Sequence, residues 1–160
     1  MRALETLAKA CAVLAGVLLT GITLMTCVSL IGRNTTGWTL VGDFELTGVA
    51  TGAAIALFMP WCQARRGNII VDFFTARASE RTNNFLDRLG ALLLAVAFAL
   101  LAWRTWLGGW NAWTTHSESQ ILGVPSWIVY AAMVPPFILS AVIGLWQAAF
   151  GFEDAPEAHA

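Results

Sequence analysis

The sequence predicts an all-α integral membrane protein, a four-helix bundle whose spans are joined by short interfacial segments, with both termini cytoplasmic. Three observations predict it: little charge, charge confined to a few segments, and basic residues gathered on one side. Only 12% of the 160 residues are charged and 58% are hydrophobic, against roughly 25% charged in soluble domains. Charge is missing between Lys9 and Arg33, Glu45 and Arg65, and Glu118 and Glu153, with a shorter gap from Arg88 to Arg104. About 20 apolar residues cross ~30 Å of hydrocarbon, and an arginine near a helix end can reach back to the headgroups. The gaps therefore give spans near 10–32, 44–64, 86–108 and 125–149. The connecting segments are too small for a soluble core, so residues 1–160 form one membrane domain. Basic side chains set the orientation: seven (Arg2, Lys9, Arg65, Arg66, Arg77, Arg81, Arg88) fall on one side and two (Arg33, Arg104) on the other.

The first apolar run exceeds the 7–15 residues of a cleaved signal segment and is expected to stay as a helix. Small residues at Ala8, Ala12, Gly16 and Thr20 recur every fourth position, a spacing that lets helices approach closely in lipid. The second span opens with VGDFELTG. Asp43 is suited to cap it, and Glu45 meets the positive end of its macrodipole. Glu45 lies one step deeper than a cap requires, so a cation such as Arg33 or Arg104 is a candidate partner. Gly48, Gly52 and Ala56 form a second small-residue stripe. The span ends at Arg65 and Arg66, Gly67 permits a reversal, and NIIVDFF follows. That apolar stretch, with Asp72 inside it, is expected to lie along the interface or beneath the bundle or a partner.

Ser79 is a suitable N-cap for the third helix, and Arg77, Arg81 and Arg88 are suited to cytoplasmic headgroups. At its other end Trp103, Trp106, Trp110 and Trp113 recur at three, four and three, one stripe of a helix that outlasts the membrane unless Gly108 and Gly109 interrupt it. With Trp38 and Trp127 they read as an outer interfacial belt, matched by Trp61 and Trp146 on the inner side. The fourth span holds Pro135 and Pro136, which remove amide donors and should bend it, and a third stripe at Ser140, Gly144 and Ala148. Cys11, Cys27 and Cys62 form no C-x-x-C pair and read as small buried hydrophobes.

Membrane enzymes and ion-coupled carriers usually place ionisable groups at bilayer depth, and the four span centres here have none. No zinc spacing, phosphate loop or haem-ligating histidine pair is present; no catalytic residue, metal or cofactor is expected. Thr20, Thr23, Thr26, Thr47 and Thr51 can bond their own helix carbonyls. A net charge of −1 and no basic patch outside the topology pattern give no reason to expect a nucleic-acid partner. A self-contained, dimeric, proton-coupled exporter with Glu45 as its carboxylate is the alternative from another class.

Taken in order, GDFEL at 42–46, MPWCQARRGNIIVDFF at 59–74, WR at 103–104 and ESQILGVPSWIVY at 118–130 make the chain resemble the small, DctQ-type membrane subunit of tripartite ATP-independent periplasmic (TRAP) transporters. The resemblance implies a bacterial inner-membrane subunit with two partners, a large membrane subunit carrying solute with sodium and a periplasmic substrate-binding protein. It implies a scaffolding role. Gly48, Gly52, Ala56, Asp43, Glu45, Asp72, Phe73, Arg65 and Arg66 are the candidates for contact with the large subunit or with lipid. Trp110, Trp113, Glu118 and Trp127 are the candidates for receiving the binding protein.

Overall fold

Four long helices form because four apolar stretches leave no alternative: in lipid every backbone amide must bond within its own segment. The structure, a computed structural model, describes residues 2–65, 67 and 80–151. Among these, α1 (Arg2–Thr35), α2 (Asp43–Ala64), α3 (Glu80–Thr114) and α4 (Trp127–Phe150) are each long and apolar enough to cross a membrane. Their bounds contain the four expected spans apart from two residues at the start of the last. The chain is thus a multi-pass membrane protein. Ser79 and the segment NIIVDFF lie outside the described residues, so the expected cap and the apolar reversal stand as expectations.

The bundle is open. α1 packs on α2, α2 on α4 and α4 on α3, while no Cα of α3 comes within 8 Å of one of α1 or α2. The helices therefore stand in the row α1–α2–α4–α3, with α4 the most buried and α1 the least. Neighbours α1 and α2 run antiparallel, as do α3 and α4, whereas α2 and α4 run parallel. Water is not what drives this association; close van der Waals contact and interhelical hydrogen bonds hold helices together in lipid.

The centre of the row is a small-residue seam. Ala56 of α2, Phe98 and Ala102 of α3, and Phe137 and Ala141 of α4 form one buried cluster, capped by Met59, Leu94 and Met133. The Phe98 and Phe137 rings stack at 6.4 Å between centroids. Gly144 sets the α3–α4 distance: a Cβ there would meet Ala95 Cβ at 3.0 Å and the Ala91 carbonyl oxygen at 3.2 Å. The third small-residue stripe, with Ser140 fully buried, is thus an internal one. α4 continues through Pro135 and Pro136 without a break, and the Ser140 hydroxyl donates to the Pro136 carbonyl at 2.9 Å.

The other two stripes differ from expectation. On α1 the buried positions are Ala8, Ala15, Ile22 and Ser29, every seventh residue, and a Cβ on Gly16 would meet no described atom outside its own helix within 4 Å. The reason is geometric. A four-residue step rotates about 40° around the helix, so a long i, i+4 stripe winds away from a nearly parallel neighbour, while a heptad drifts only ~20° per repeat. On α2, Ala56 is buried, but a Cβ on Gly48 or Gly52 would meet no atom of another described element within 4 Å. Four threonines do bond their own helices: Thr20, Thr23, Thr26 and Thr47 donate to the carbonyls four residues back at 2.7–2.9 Å. None of the three free cysteines is fully buried as expected: Cys27 is exposed on α1, and Cys11 and Cys62 are half-buried.

At the end of the row away from the two hairpin loops, a pair of glutamines joins α2 to α4. Gln63 Nε2 donates to Gln147 Oε1 and Gln147 Nε2 donates to the Gln63 carbonyl, both at 2.9 Å. Both side chains are almost fully buried. Bonds of this kind contribute about 0.6–2 kcal/mol each in a membrane.

Two glycines on different stripes therefore respond differently to enlargement. Gly144→Leu drives a side chain into α3 and is expected to lower stability by about 1–3 kcal/mol. Gly52→Leu, entering open space, leaves stability unchanged. Thermal unfolding of the isolated chain in detergent measures both, and equal losses would remove the distinction.

Candidate functional site

The two hairpin loops, 36–42 and 115–126, lie at the same end of the row, and one carboxylate ties them together. Glu45 stands in the first turn of α2 because Gly42 starts that helix: Gly42 occupies the left-handed region (φ 82°), and the Leu46 amide donates to its carbonyl at 2.9 Å. From there Glu45 reaches into the turn before α4. Its Oε1 accepts the amide of Gln120 at 2.9 Å, and its Oε2 accepts those of Ile121 and Leu122 at 3.3 and 3.2 Å. Successive amides that converge in this way make an anion-binding concavity, and the N-terminus of α2 adds its partial positive charge. The carboxylate is therefore a clasp between backbone amides and does not pair with Arg33 or Arg104 among the described residues.

Gly42 is part of the clasp. A Cβ there would lie 2.6 Å from Leu122 Cγ, so the Leu122 side chain rests on the glycine backbone. The loop that Glu45 holds is itself tightly built. Glu118 and Pro125 form an antiparallel bridge, Ser119 N–H donates to the Val124 carbonyl and Ser126 N–H to the Ser117 carbonyl, each at 2.9 Å. His116 takes a positive φ of 49° where α3 gives way to this loop.

Asp43 differs from its expected role. Gly42 holds the cap position and Asp43 is the first helical residue. Its Oδ1 accepts the neighbouring Phe44 amide at 2.7 Å, and its Oδ2 accepts the Ser29 hydroxyl of α1 at 2.5 Å. Thr26 and Thr47 bring their hydroxyls to 3.5 Å one turn deeper. Asp43 thus joins α1 to α2 while Glu45 joins α2 to the α3–α4 loop.

The expected docking residues come together beside the clasp. Trp113 meets Trp127 edge to face at 5.0 Å, across the α3–α4 hairpin. An apolar groove of about 260 Å³ runs between these helices, lined by Trp106, Trp110, Trp113, Trp127 and Tyr130. A smaller pocket of about 120 Å³ lies between Trp113, His116, Glu118 and Trp127. Gly108 and Gly109 do not interrupt α3, which runs to Thr114. They receive the Tyr130 ring, which approaches so closely that a Cβ on Gly109 would lie 2.9 Å from Tyr130 Cβ.

The candidate contact residues for a large subunit do not form one patch. Ala56 belongs to the internal core, and Asp43 and Glu45 are engaged within the chain. Arg65 stacks on Trp61, with its guanidinium carbon 4.6 Å from the ring centroid. Gly48 and Gly52 alone among the described candidates present open backbone. Arg66, Asp72 and Phe73 lie outside the described residues. The Gln63–Gln147 pair carries no motif; its signal in the sequence is that these are the only amide side chains inside the four expected spans.

If the clasp organises this end, Glu45→Ala frees the amides of 120–122. Hydrogen exchange at those amides should accelerate while α2 and α4 keep their protection, and Glu45→Gln, which retains an acceptor oxygen, should fall between. Unchanged exchange in Glu45→Ala would mean that the loop holds itself.

The segments GDFEL at 42–46 and ESQILGVPSWIVY at 118–130 are thus partners in space, joined by Glu45 and the amides of 120–122. A family model described as the DctQ component of tripartite ATP-independent periplasmic transporters matches residues 22–153, a stretch that includes both segments and all of α2, α3 and α4. Comparison with curated proteins and with solved structures found no match. With four apolar helices and a family match over most of its length, the chain belongs to the DctQ family, the small membrane component of these transporters.

Proposed function

We propose that this chain is a non-catalytic scaffold in a sodium-coupled, binding-protein-dependent secondary transporter, supporting the large transport subunit and helping to dock the periplasmic binding protein. The observation that carries this reading is how the acidic residues at the loop end are spent. Asp43 and Glu45 each hold one helix or loop to another. The family match supports placement in the bacterial inner membrane, and the basic bias of the termini and the central segment favours both termini in the cytoplasm. On that orientation the clasped loops and their tryptophans face the periplasm, where a binding protein arrives. The open backbone at Gly48 and Gly52 offers one place for a helix of the large subunit to approach closely.

The exporter reading requires Glu45 to exchange protons at depth. Its carboxylate, in the first turn of α2, is instead occupied by three backbone amides of the loop before α4, a structural contact that a proton shuttle would have to break.

Two measurements test the proposal. The purified chain in liposomes should give no solute-driven proton or sodium movement, and such movement would support the exporter instead. In cells that also make the large subunit and the binding protein, Glu118→Lys should lower uptake while the two membrane subunits still copurify. Normal uptake would remove Glu118 from the docking surface.

A further inference from the structure

We infer that the α3–α4 hairpin binds an aminophospholipid, with an acyl chain in its apolar groove and the headgroup ammonium between Glu118 and the indoles of Trp113 and Trp127. It is a site that the scaffold reading neither requires nor excludes. Two cavities adjoin at this hairpin, and Trp113 and Trp127 line both. The deeper one, about 260 Å³, is the groove walled by Trp106, Trp110, Tyr130 and Val134. The outer one, about 120 Å³, adds His116 and Glu118. Along the helix axis the surface therefore changes once, from apolar to acidic, as it does along an amphiphile.

Depth matches that change. The third expected span ends near residue 108, and α3 runs six residues further (114 − 108), about 9 Å, to Thr114. The polar layer outside the hydrocarbon is roughly 5–7 Å thick on each side. The groove thus straddles the hydrocarbon boundary, and His116 and Glu118, past the end of the helix, stand at headgroup level.

Glu118 selects the headgroup. Asp43 and Glu45, the other acids at this end, are engaged by Ser29 and by backbone amides. The Glu118 carboxylate has no hydrogen bond or ion pair among the described residues, although the bridge to Pro125 fixes its backbone. A carboxylate beside two indoles suits an ammonium, which it attracts by charge while the ring faces attract it by their quadrupoles. His116 supplies a ring N–H donor for the adjoining phosphate. A metal ion is poorly served there, since the described residues hold no group of three or more His, Cys, Asp or Glu side chains. A wholly apolar helix would fill the groove and leave Glu118 unanswered.

The test gives the purified chain an equimolar mixture of phosphatidylethanolamine and phosphatidylglycerol in detergent, and native mass spectrometry reads the lipid retained. Phosphatidylethanolamine should be preferred about fivefold, the size of one exposed ion pair with one cation–π contact. Glu118→Gln should bring the ratio close to one. N-acetyl phosphatidylethanolamine, which has no ammonium, should compete no better than phosphatidylglycerol against the wild-type chain. Ala131→Phe, which fills the groove from an exposed position, should lower retention of both lipids. A wild-type ratio near one, an unchanged ratio in Glu118→Gln, or full retention in Ala131→Phe would each overturn the site. A photo-crosslinking phenylalanine analogue in place of Trp110 should label lipid when the large subunit is made alongside. Adducts with the large subunit alone would overturn the site by making the groove a protein seat.

Discussion

The carboxylate of Glu45 is the constraint on which the loop end depends. A turn of irregular backbone beside a membrane exposes amides that no helix satisfies, and three of them, at Gln120, Ile121 and Leu122, find the same side chain. Charge-assisted bonds to backbone amides are stronger than neutral ones, and here they connect elements that adjoin neither in sequence nor by a shared hairpin. Once the turn is fixed, Pro125 and Ser126 fix the start of α4, Trp127 meets Trp113, and Tyr130 settles on Gly108 and Gly109. The aromatic surface thus follows from a charge-assisted contact to the turn that precedes α4.

Deeper in the row, order comes from size. Alanines and one glycine allow α3 and α4 to approach until backbone atoms touch, and Ala56 lets α2 join them. The parallel pair α2–α4 is held at both extremities, by Glu45 at the loop end and by Gln63 with Gln147 at the other. Polar contacts at the two ends and small residues between fix its register, because sliding by one turn would break both sets at once. α1 is attached differently, through the heptad Ala8, Ala15, Ile22 and Ser29 and through the Ser29–Asp43 bond. It contributes little to the central cluster.

Much of this was legible in the sequence, and the remainder was hidden for identifiable reasons. Runs free of charge gave four helices, since only a helix satisfies its own backbone in lipid, and the tryptophan periodicity carried α3 past Gly108 and Gly109. The partner of Glu45 was not legible: backbone amides leave no residue-type signature, so a search for cations pointed to Arg33 and Arg104. Small-residue stripes were ambiguous for a related reason. Spacing shows that a helix can approach another but not which one, and so Gly144 proved internal while Gly52 did not. The Gln63–Gln147 pair had a signal, two amides in otherwise amide-free spans, but no spacing that joined them.

An open row of helices has a consequence that a closed bundle avoids. Each edge helix in a row presents a whole side to its surroundings, and the two edges here are chemically unlike. α1 offers an uncharged apolar side, with Val17 and Leu24 well exposed, which hydrocarbon covers at no cost. α3 offers large exposed leucines and tryptophans, with Arg104 beside Trp103. A chain that passed solute through itself would turn such a group inward, to a path lined by its own helices. Here the inward positions are filled by alanine, phenylalanine and methionine packed against one another, and the arginine faces out. Dry packing thus closes the centre of the row, and the arginine stands at its edge.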